Sequence, residues 1–316
     1  MDSLICLDQN YSTTRRLTKE KPQIINADED KFETILFLPT GEGRQGEGGL
    51  RTKGYFKKSD ENEPLISIVT VVYNGEKHLE QTIQSVINQN YDNVEYIIID
   101  GGSTDGTIEI VKKYEDQIDY WVSEKDQGIY DAMNKGLRLV SGNLVGYINA
   151  DDYYMSDILS DIAEVYQQEH KDVIYGDVCY IDENRQENIP AHNLGIKYGL
   201  SPYSLKWIWV KMLFAHPASF ISLRTYKKYG DYDRRFKIAA DYDLFLRLVQ
   251  KRVTFYYYKK IFSGFREGGI STTDMKRLQQ ENFEARKKNS IVMAYSIRFL
   301  LNILTQIKKL KKRISQ

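Results

Sequence analysis

Only two cysteines occur in the 316 residues, Cys6 and Cys179, far apart and outside any His/Cys metal spacing. A disulfide scaffold is thereby excluded, and a reducing compartment is expected. There is no excess of one charge either: Lys plus Arg and Asp plus Glu both number 44, so nothing global points to nucleic acid. No apolar run approaches the ~20 residues that span a bilayer. The start, Met1-Asp-Ser-Leu-Ile-Cys-Leu-Asp8, lacks the basic head and long apolar core of a signal peptide. A cytoplasmic protein without internal repeats is expected.

What is present divides into three. Residues 1–63 read as an N-terminal extension, polar and punctuated, with one strand candidate at Thr34–Leu38. Its glycines (Gly41, Gly43, Gly46, Gly48, Gly49 and Gly54) read as a surface linker, because no Lys-Ser/Thr follows them to cradle a phosphate. Residues 64–275 read as an α/β domain. Leu65–Val72, Val94–Ile99, Asp119–Ser123 and Leu144–Ile148 are strand runs, and Lys77–Gln89, Thr107–Tyr114 and Ile129–Val140 carry helical spacing between them. Strictly alternating strands and helices predict right-handed crossovers and a largely parallel sheet flanked by helices. Further helices are expected at Ser156–Gln168, Leu223–Tyr229 and Ala239–Leu248, with strands at Asp172–Ile181 and Val253–Tyr258. Among the 24 tyrosines, Tyr256–Tyr258 belong to that last strand.

Residues 276–316 form the third part. From Ala285 onward they hold nine Lys or Arg and no acid, while Val292, Tyr295, Phe299, Ile303, Ile307, Leu310 and Ile314 step by three or four. One apolar face on a basic helix suits an anionic membrane surface. The alternative is a helix docked on its own domain, followed by a solvated Lys cluster.

The chemistry should gather where strands end, since open α/β sheets place ligands at the carboxyl edge of their strands. The apolar run Val145–Ile148 stops at Asn149-Ala-Asp-Asp152. Two adjacent carboxylates repel and are costly to desolvate, and a hard divalent cation relieves both problems. Capping of the next helix is the other reading of Asp151 or Asp152. Asp100 follows three isoleucines and precedes two glycines, so it sits where backbone can approach a ligand; it accepts from a ribose or base, or caps a helix.

Ile66–Gly75, Ile97–Thr107, Asp126–Gly136, Asn149–Asp152 and Ala240–Leu244, in that order and spacing, resemble the successive motifs of glycosyltransferase family 2 over about residues 64–275. The resemblance implies a GT-A fold, a nucleotide-sugar donor (a UDP-sugar by preference), Mg²⁺ or Mn²⁺, and inversion at the anomeric carbon. It implies that Tyr73 and Asp100 hold the nucleoside, that Asp126 and Gln127 border the donor sugar, and that Asp151 and Asp152 meet the diphosphate and its metal. Asn149 replaces the first acid of the family's D-x-D, and an amide is a weaker ligand. Asp241 matches the general base, with Asp243 as its local competitor; Ala240 stands where the family often has Glu.

Of the lesser candidates, Lys135 reads as solvated, His216 as satisfying a buried turn, Trp207 and Trp209 as core rather than an acceptor platform, and Arg266 with Ser271–Thr273 as a loop over the diphosphate. The expected role is sugar transfer at the inner membrane face to a glycan or polyprenyl-diphosphate-linked acceptor, in capsule or lipopolysaccharide O-antigen assembly. A nucleotidyltransferase would want a basic glycine-rich loop after the first strand, which Tyr73–His78 is not. A non-catalytic nucleotide-sugar-binding scaffold is the rival from another class.

Overall fold

The computed structural model describes residues 4–41, 43–60, 62–182, 187–190, 202–266 and 274–314. Its centre is set by two β-branched runs, β2 (Ile66–Val72) and β3 (Val94–Asp100), in which all fourteen residues are buried. Side chains alternate across the sheet with period two. Val69, Val71, Ile97 and Ile99 therefore enter the core on one face, with Met133, Leu137 and Phe245. Ile66, Ile68, Val72, Tyr96 and Ile98 enter the core on the other, with Ile83, Val86 and Ile162.

The remaining strands are β1 (Gly46–Gly48), β4 (Tyr120–Ser123), β5 (Leu144–Tyr147), β6 (Tyr153–Tyr154), β7 (Val173–Asp182), β8 (Glu187–Pro190), β9 (Ser219–Ser222) and β10 (Phe255–Arg266). The sheet order is β1-β4-β3-β2-β5-β9-β7-β10-β6, with β8 on β7. The block β4-β3-β2-β5 is parallel, as the alternating pattern requires. β9 then enters antiparallel between β5 and β7, and β1 and β6 are antiparallel edges, so the whole sheet is mixed. The helices are α1 (Leu79–Ile87), α2 (Thr107–Lys113), α3 (Ile129–Leu139), α4 (Ile158–Glu169), α5 (Leu223–Tyr229), α6 (Ala240–Gln250), α7 (Met275–Asn289) and α8 (Ile291–Ile314). The last strand, expected to end at Tyr258, runs on to Arg266 because it pairs along the length of β7.

The N-terminal extension differs from expectation. Thr34–Leu38 forms no strand; Leu36 and Leu38 are buried, and Ile35 N–H bonds the Arg138 carbonyl at the end of α3. The edge position goes to the glycine-rich stretch, which is not a linker there. Gly46–Gly48 pairs with β4, and a Cβ on Gly48 would stand 2.6 Å from the Trp121 indole nitrogen, so only glycine lets the backbone lie over that ring. Behind it, Arg51 reaches the buried Glu95 of β3 at 2.5 Å, and Ser141 N–H donates to the same carboxylate at 2.8 Å.

At the other end, α7 docks on α6, burying Ala285 and Arg286, while α8 leaves Val292, Tyr295, Phe299, Ile303 and Ile307 exposed. Leu310 and Ile314 fall outside the residues whose side chains are described.

Candidate active site

The loops after β2, β3, β4 and β5 meet at one sheet edge. A Cβ on Gly75 would lie 3.4 Å from Ala150 Cβ, which sets the Tyr73–Gly75 turn beside the Asp151 loop. Asn74 takes a left-handed φ of 51° there, leaving Tyr73 65% exposed at the end of β2 as a ring free to stack. Thr82 ties α1, the helix that follows this turn, to the acidic loop, donating to the carbonyls of Ala150 at 3.0 Å and Asp152 at 2.6 Å.

Asp100 is buried, and much of its carboxylate is engaged. Oδ2 accepts from Gly102 N–H and Ser103 N–H at 3.0 Å and from Ser123 Oγ at 2.6 Å, while Oδ1 accepts from Ser103 Oγ. It thus shapes the Gly101–Gly106 loop, with capacity left on Oδ1 for one more donor. The Asp126 carboxylate lies over Gly101, and burial, joined by the nearby charges of Asp131 and Asp100, raises it above the ordinary carboxylate range. Gln127 is exposed; its carbonyl accepts from Lys237 Nζ at 3.1 Å, which joins this loop to the segment ahead of Asp241.

Asp151 and Asp152, adjacent in sequence, differ in setting. Asp152 is 1% exposed; Oδ1 accepts Arg266 N–H at 3.0 Å and Oδ2 accepts Asn149 Nδ2 at 3.2 Å. Burial and the charge of Asp151 push it up to about 8. Asp151 is half-buried at the end of the strand, and its carbonyl accepts the Arg266 guanidinium. Asn149 Oδ1 is buried and finds no hydrogen-bond partner among the described residues. One free carboxylate, one buried carboxylate under repulsion and one orphaned amide oxygen make an oxygen donor set suited to a hard divalent cation. Among the described residues no group of three His, Cys, Asp or Glu gathers at a metal-binding spacing, so water and substrate oxygens would complete the coordination.

Asp241 opens α6 and is half-buried. Oδ1 accepts Tyr242 N–H at 2.7 Å and faces Tyr130 Oη at 3.4 Å. Burial pushes it up to about 6, against both hydrogen bonds. Asp243, its sequence competitor, is fully buried and spent on Lys288 at 2.7 Å and Asn289 at 3.0 Å. A general base needs an accessible carboxylate with a lone pair to spare, and of the two only Asp241 has one.

A model of the family described as "Glycosyl transferase family 2" matches residues 67–230, about half of the chain. The chain belongs to glycosyltransferase family 2. An uncharacterized glycosyltransferase of Mycobacterium tuberculosis is 33% identical over 196 residues, covering 60% of this chain and 72% of that one. A PGL/p-HBAD biosynthesis glycosyltransferase of Mycobacterium bovis is 29% identical over 217 residues, covering 66% and 80%. Among solved structures, Staphylococcus aureus TarS 1–349 in complex with UDP-GlcNAc aligns with TM-score 0.55 and 16% identity over 72% of this chain and 66% of that one. The mannosyltransferase PcManGT from Pyrobaculum calidifontis, in complex with GDP-Man and Mn²⁺, aligns with TM-score 0.54 and 16% identity over 73% and 66%. The chain spans 39% of the longer TarS chain. These structural likenesses carry the GT-A fold.

Other family-2 candidates fall unevenly. Lys135 is not solvated but paired with Glu124 at 2.7 Å. His216 is held in a turn, Nε2 at 2.7 Å from Tyr232 Oη, and burial lowers it to about 4, so it is neutral at pH 7. Trp209 packs against the core, but Trp207 is 57% exposed because its short 3₁₀ helix (Pro202–Trp209) turns that ring outward. Arg266 joins the site, its Nη2 also reaching Gln81 Oε1 at 2.5 Å, while Ser271–Thr273 lie outside the described residues. Tyr130, whose hydroxyl faces Asp241 Oδ1, lies inside the Asp126–Gly136 stretch but is not singled out by it, and Glu281, which accepts from the N–H groups of Lys237, Ile238 and Ala239, stands some forty residues further on; contacts made across such separations leave no local pattern.

Proposed function

We propose that this family-2 chain moves a sugar from a nucleoside-diphosphate sugar, a UDP-sugar by preference, to an acceptor hydroxyl with inversion of the anomeric carbon. The observation that carries the reading is Asp241: an accessible carboxylate facing Tyr130, just after the Asp126–Gln127 loop that lies over Gly101 beside Asp100, and held up to about 6. Tyr73 stacks on the base, Asp100 accepts from the ribose, and Asp126 and Gln127 border the donor sugar. Asp151 would be the principal ligand of Mg²⁺ or Mn²⁺, and Asp152 and Asn149 would supply further oxygen donors. When bound, the cation neutralises the charge that grows on the leaving diphosphate. Asp241 takes the proton of the acceptor hydroxyl as that oxygen bonds to the anomeric carbon and the opposite bond to the diphosphate oxygen breaks. A positioned carboxylate supplies ~10²- to 10⁴-fold in that role.

The acceptor in this reading is a glycan or polyprenyl-diphosphate-linked sugar of capsule or O-antigen type, met at the inner membrane face. Support comes from α8, in which Phe299 is 69% exposed and whose final stretch holds Lys308, Lys309, Lys311, Lys312 and Arg313 in sequence. Among the described residues no helix is long and apolar enough to cross a membrane.

The test is a panel of nucleotide sugars incubated with the protein and Mn²⁺, with product anomers read by NMR. Turnover of one donor with inverted configuration supports the reading. A retained configuration overturns the in-line mechanism, and binding without turnover on any acceptor favours the scaffold alternative.

A further inference from the structure

The peptide group of Ile238, three residues before Asp241, is held from both sides. Its carbonyl accepts Tyr130 Oη at 2.6 Å. Its N–H donates to Glu281 Oε2 at 2.8 Å, and the same oxygen accepts Lys237 N–H at 2.9 Å and Ala239 N–H at 3.1 Å. Glu281 lies on α7, some forty residues further along the chain, and its side chain is 12% exposed. Three successive amide donors converging on one carboxylate make charge-assisted bonds, stronger than neutral ones and fixed in direction. An anion just ahead of α6 also meets the positive end of that helix.

Arg277 Nε holds the other oxygen of Glu281 at 2.9 Å, so the carboxylate cannot swing away without breaking an ion pair as well. Burial alone would raise its pKa, but the backbone donors and Arg277 outweigh it and keep the carboxyl below its usual range. The other contacts from α7 to α6 land on side chains beyond the base: Arg286 Nε on Tyr242 Oη at 3.0 Å, Lys288 and Asn289 on Asp243. Glu281 grips the backbone leading into Asp241.

We infer that Glu281 is a positioning residue for Asp241, fixing through the backbone of Lys237–Ala239 where the carboxylate stands relative to the acceptor hydroxyl. The inference rests on Asp241 being the general base. It follows chemically because a proton transfer tolerates little misplacement, whereas Tyr73, Asp100 and Asp151, which would hold the donor, lie on other loops.

Two readouts on Glu281→Ala, Glu281→Gln and the control Glu284→Ala test it. The first is amide hydrogen exchange of peptides spanning residues 234–246. Glu281→Ala should exchange about tenfold faster, Glu281→Gln less so because it keeps one acceptor oxygen, and Glu284→Ala, whose carboxylate lies only 3.7 Å from the exposed Lys287, not at all. The second is kcat with whichever nucleotide sugar the intact protein turns over, expressed per UDP-binding site from titration with UDP and Mn²⁺. Glu281→Ala should lose roughly 10- to 100-fold in kcat with the UDP dissociation constant within about threefold, and Glu281→Gln should recover part of the rate. A kcat per UDP site that does not change, or exchange that does not change, overturns the inference. Should the intact protein turn over no nucleotide sugar, the transferase reading fails by itself, and unaltered exchange in Glu281→Ala separately shows that the backbone grip is absent.

Discussion

Tyr130 Oη donates to the Ile238 carbonyl at 2.6 Å and stands 3.4 Å from Asp241 Oδ1, so its one proton is shared, unequally, between the backbone ahead of the carboxylate and the carboxylate itself. Burial raises the Asp241 pKa, the Tyr242 N–H and then this hydroxyl lower it, and the balance rests at about 6. Several outcomes depend on that balance.

The base works only when deprotonated. With a pKa of about 6, kcat should be flat above pH 7 and fall below pH 6, approaching tenfold per unit of pH, because the protonated fraction of Asp241 then dominates. A pH series of kcat at saturating donor checks this. A profile flat down to pH 4.5 would place the proton elsewhere.

Tyr130→Phe removes a hydrogen bond that favours the charged carboxylate, so the Asp241 pKa should rise. The acid limb of kcat therefore moves to higher pH, and the variant loses more activity at pH 6 than at pH 8. The orphaned Ile238 carbonyl adds a stability cost of about 1–3 kcal/mol, measurable by denaturant titration.

How much of this was legible in sequence follows from the range of each interaction. Strands β2 to β5 and helices α1 to α3 came through because apolar period and strand-end glycines are local signals. The acidic loop and Asp241 are picked out as motifs in order, and the fold sets them after β5 and at the start of α6. Edge strand β1 did not, since three residues of glycine and glutamate carry no apolar alternation and their place is fixed by the Trp121 ring beneath them. Glu281 and the Arg51–Glu95 pair are long-range partners with no mark at either end. Trp207 was assigned to the core on residue type alone, which does not tell which way a ring on a short 3₁₀ helix turns.

At the strand end of β5, Asp152 already accepts from Arg266 N–H and Asn149, and in the proposed reading Asp151 is the main ligand of the cation. Asp151→Asn should weaken Mn²⁺-dependent UDP binding by about tenfold or more. Asn149→Asp should act in the opposite sense. A third carboxylate lowers Tm in metal-free buffer through repulsion and enlarges the Tm gain on adding Mn²⁺, because the site binds the cation more tightly. Thermal melts with and without Mn²⁺ decide it; equal Mn²⁺ shifts in the parent and Asn149→Asp would remove Asn149 from the site.

The N-terminal extension is fastened by a buried charge pair. Arg51 Nη2 meets Glu95 Oε1 at 2.5 Å with both side chains almost fully buried. Removing one partner strands the other, so Arg51→Ala should cost about 3–5 kcal/mol in denaturant unfolding. Lys58→Ala, which breaks the exposed pair with Glu20, should cost less than about 1 kcal/mol.

The most direct measurement compares Asp241→Asn with the parent protein under Mn²⁺, reading UDP-sugar binding and single-turnover transfer on the same sample. The substitution keeps size and removes the charge and the ability to take a proton. Donor affinity within about threefold of the parent, together with a rate lower by ~10² or more, is the predicted result. A rate equal to the parent would contradict the assignment of Asp241 as the base, and with it the account of how this edge of the sheet performs sugar transfer.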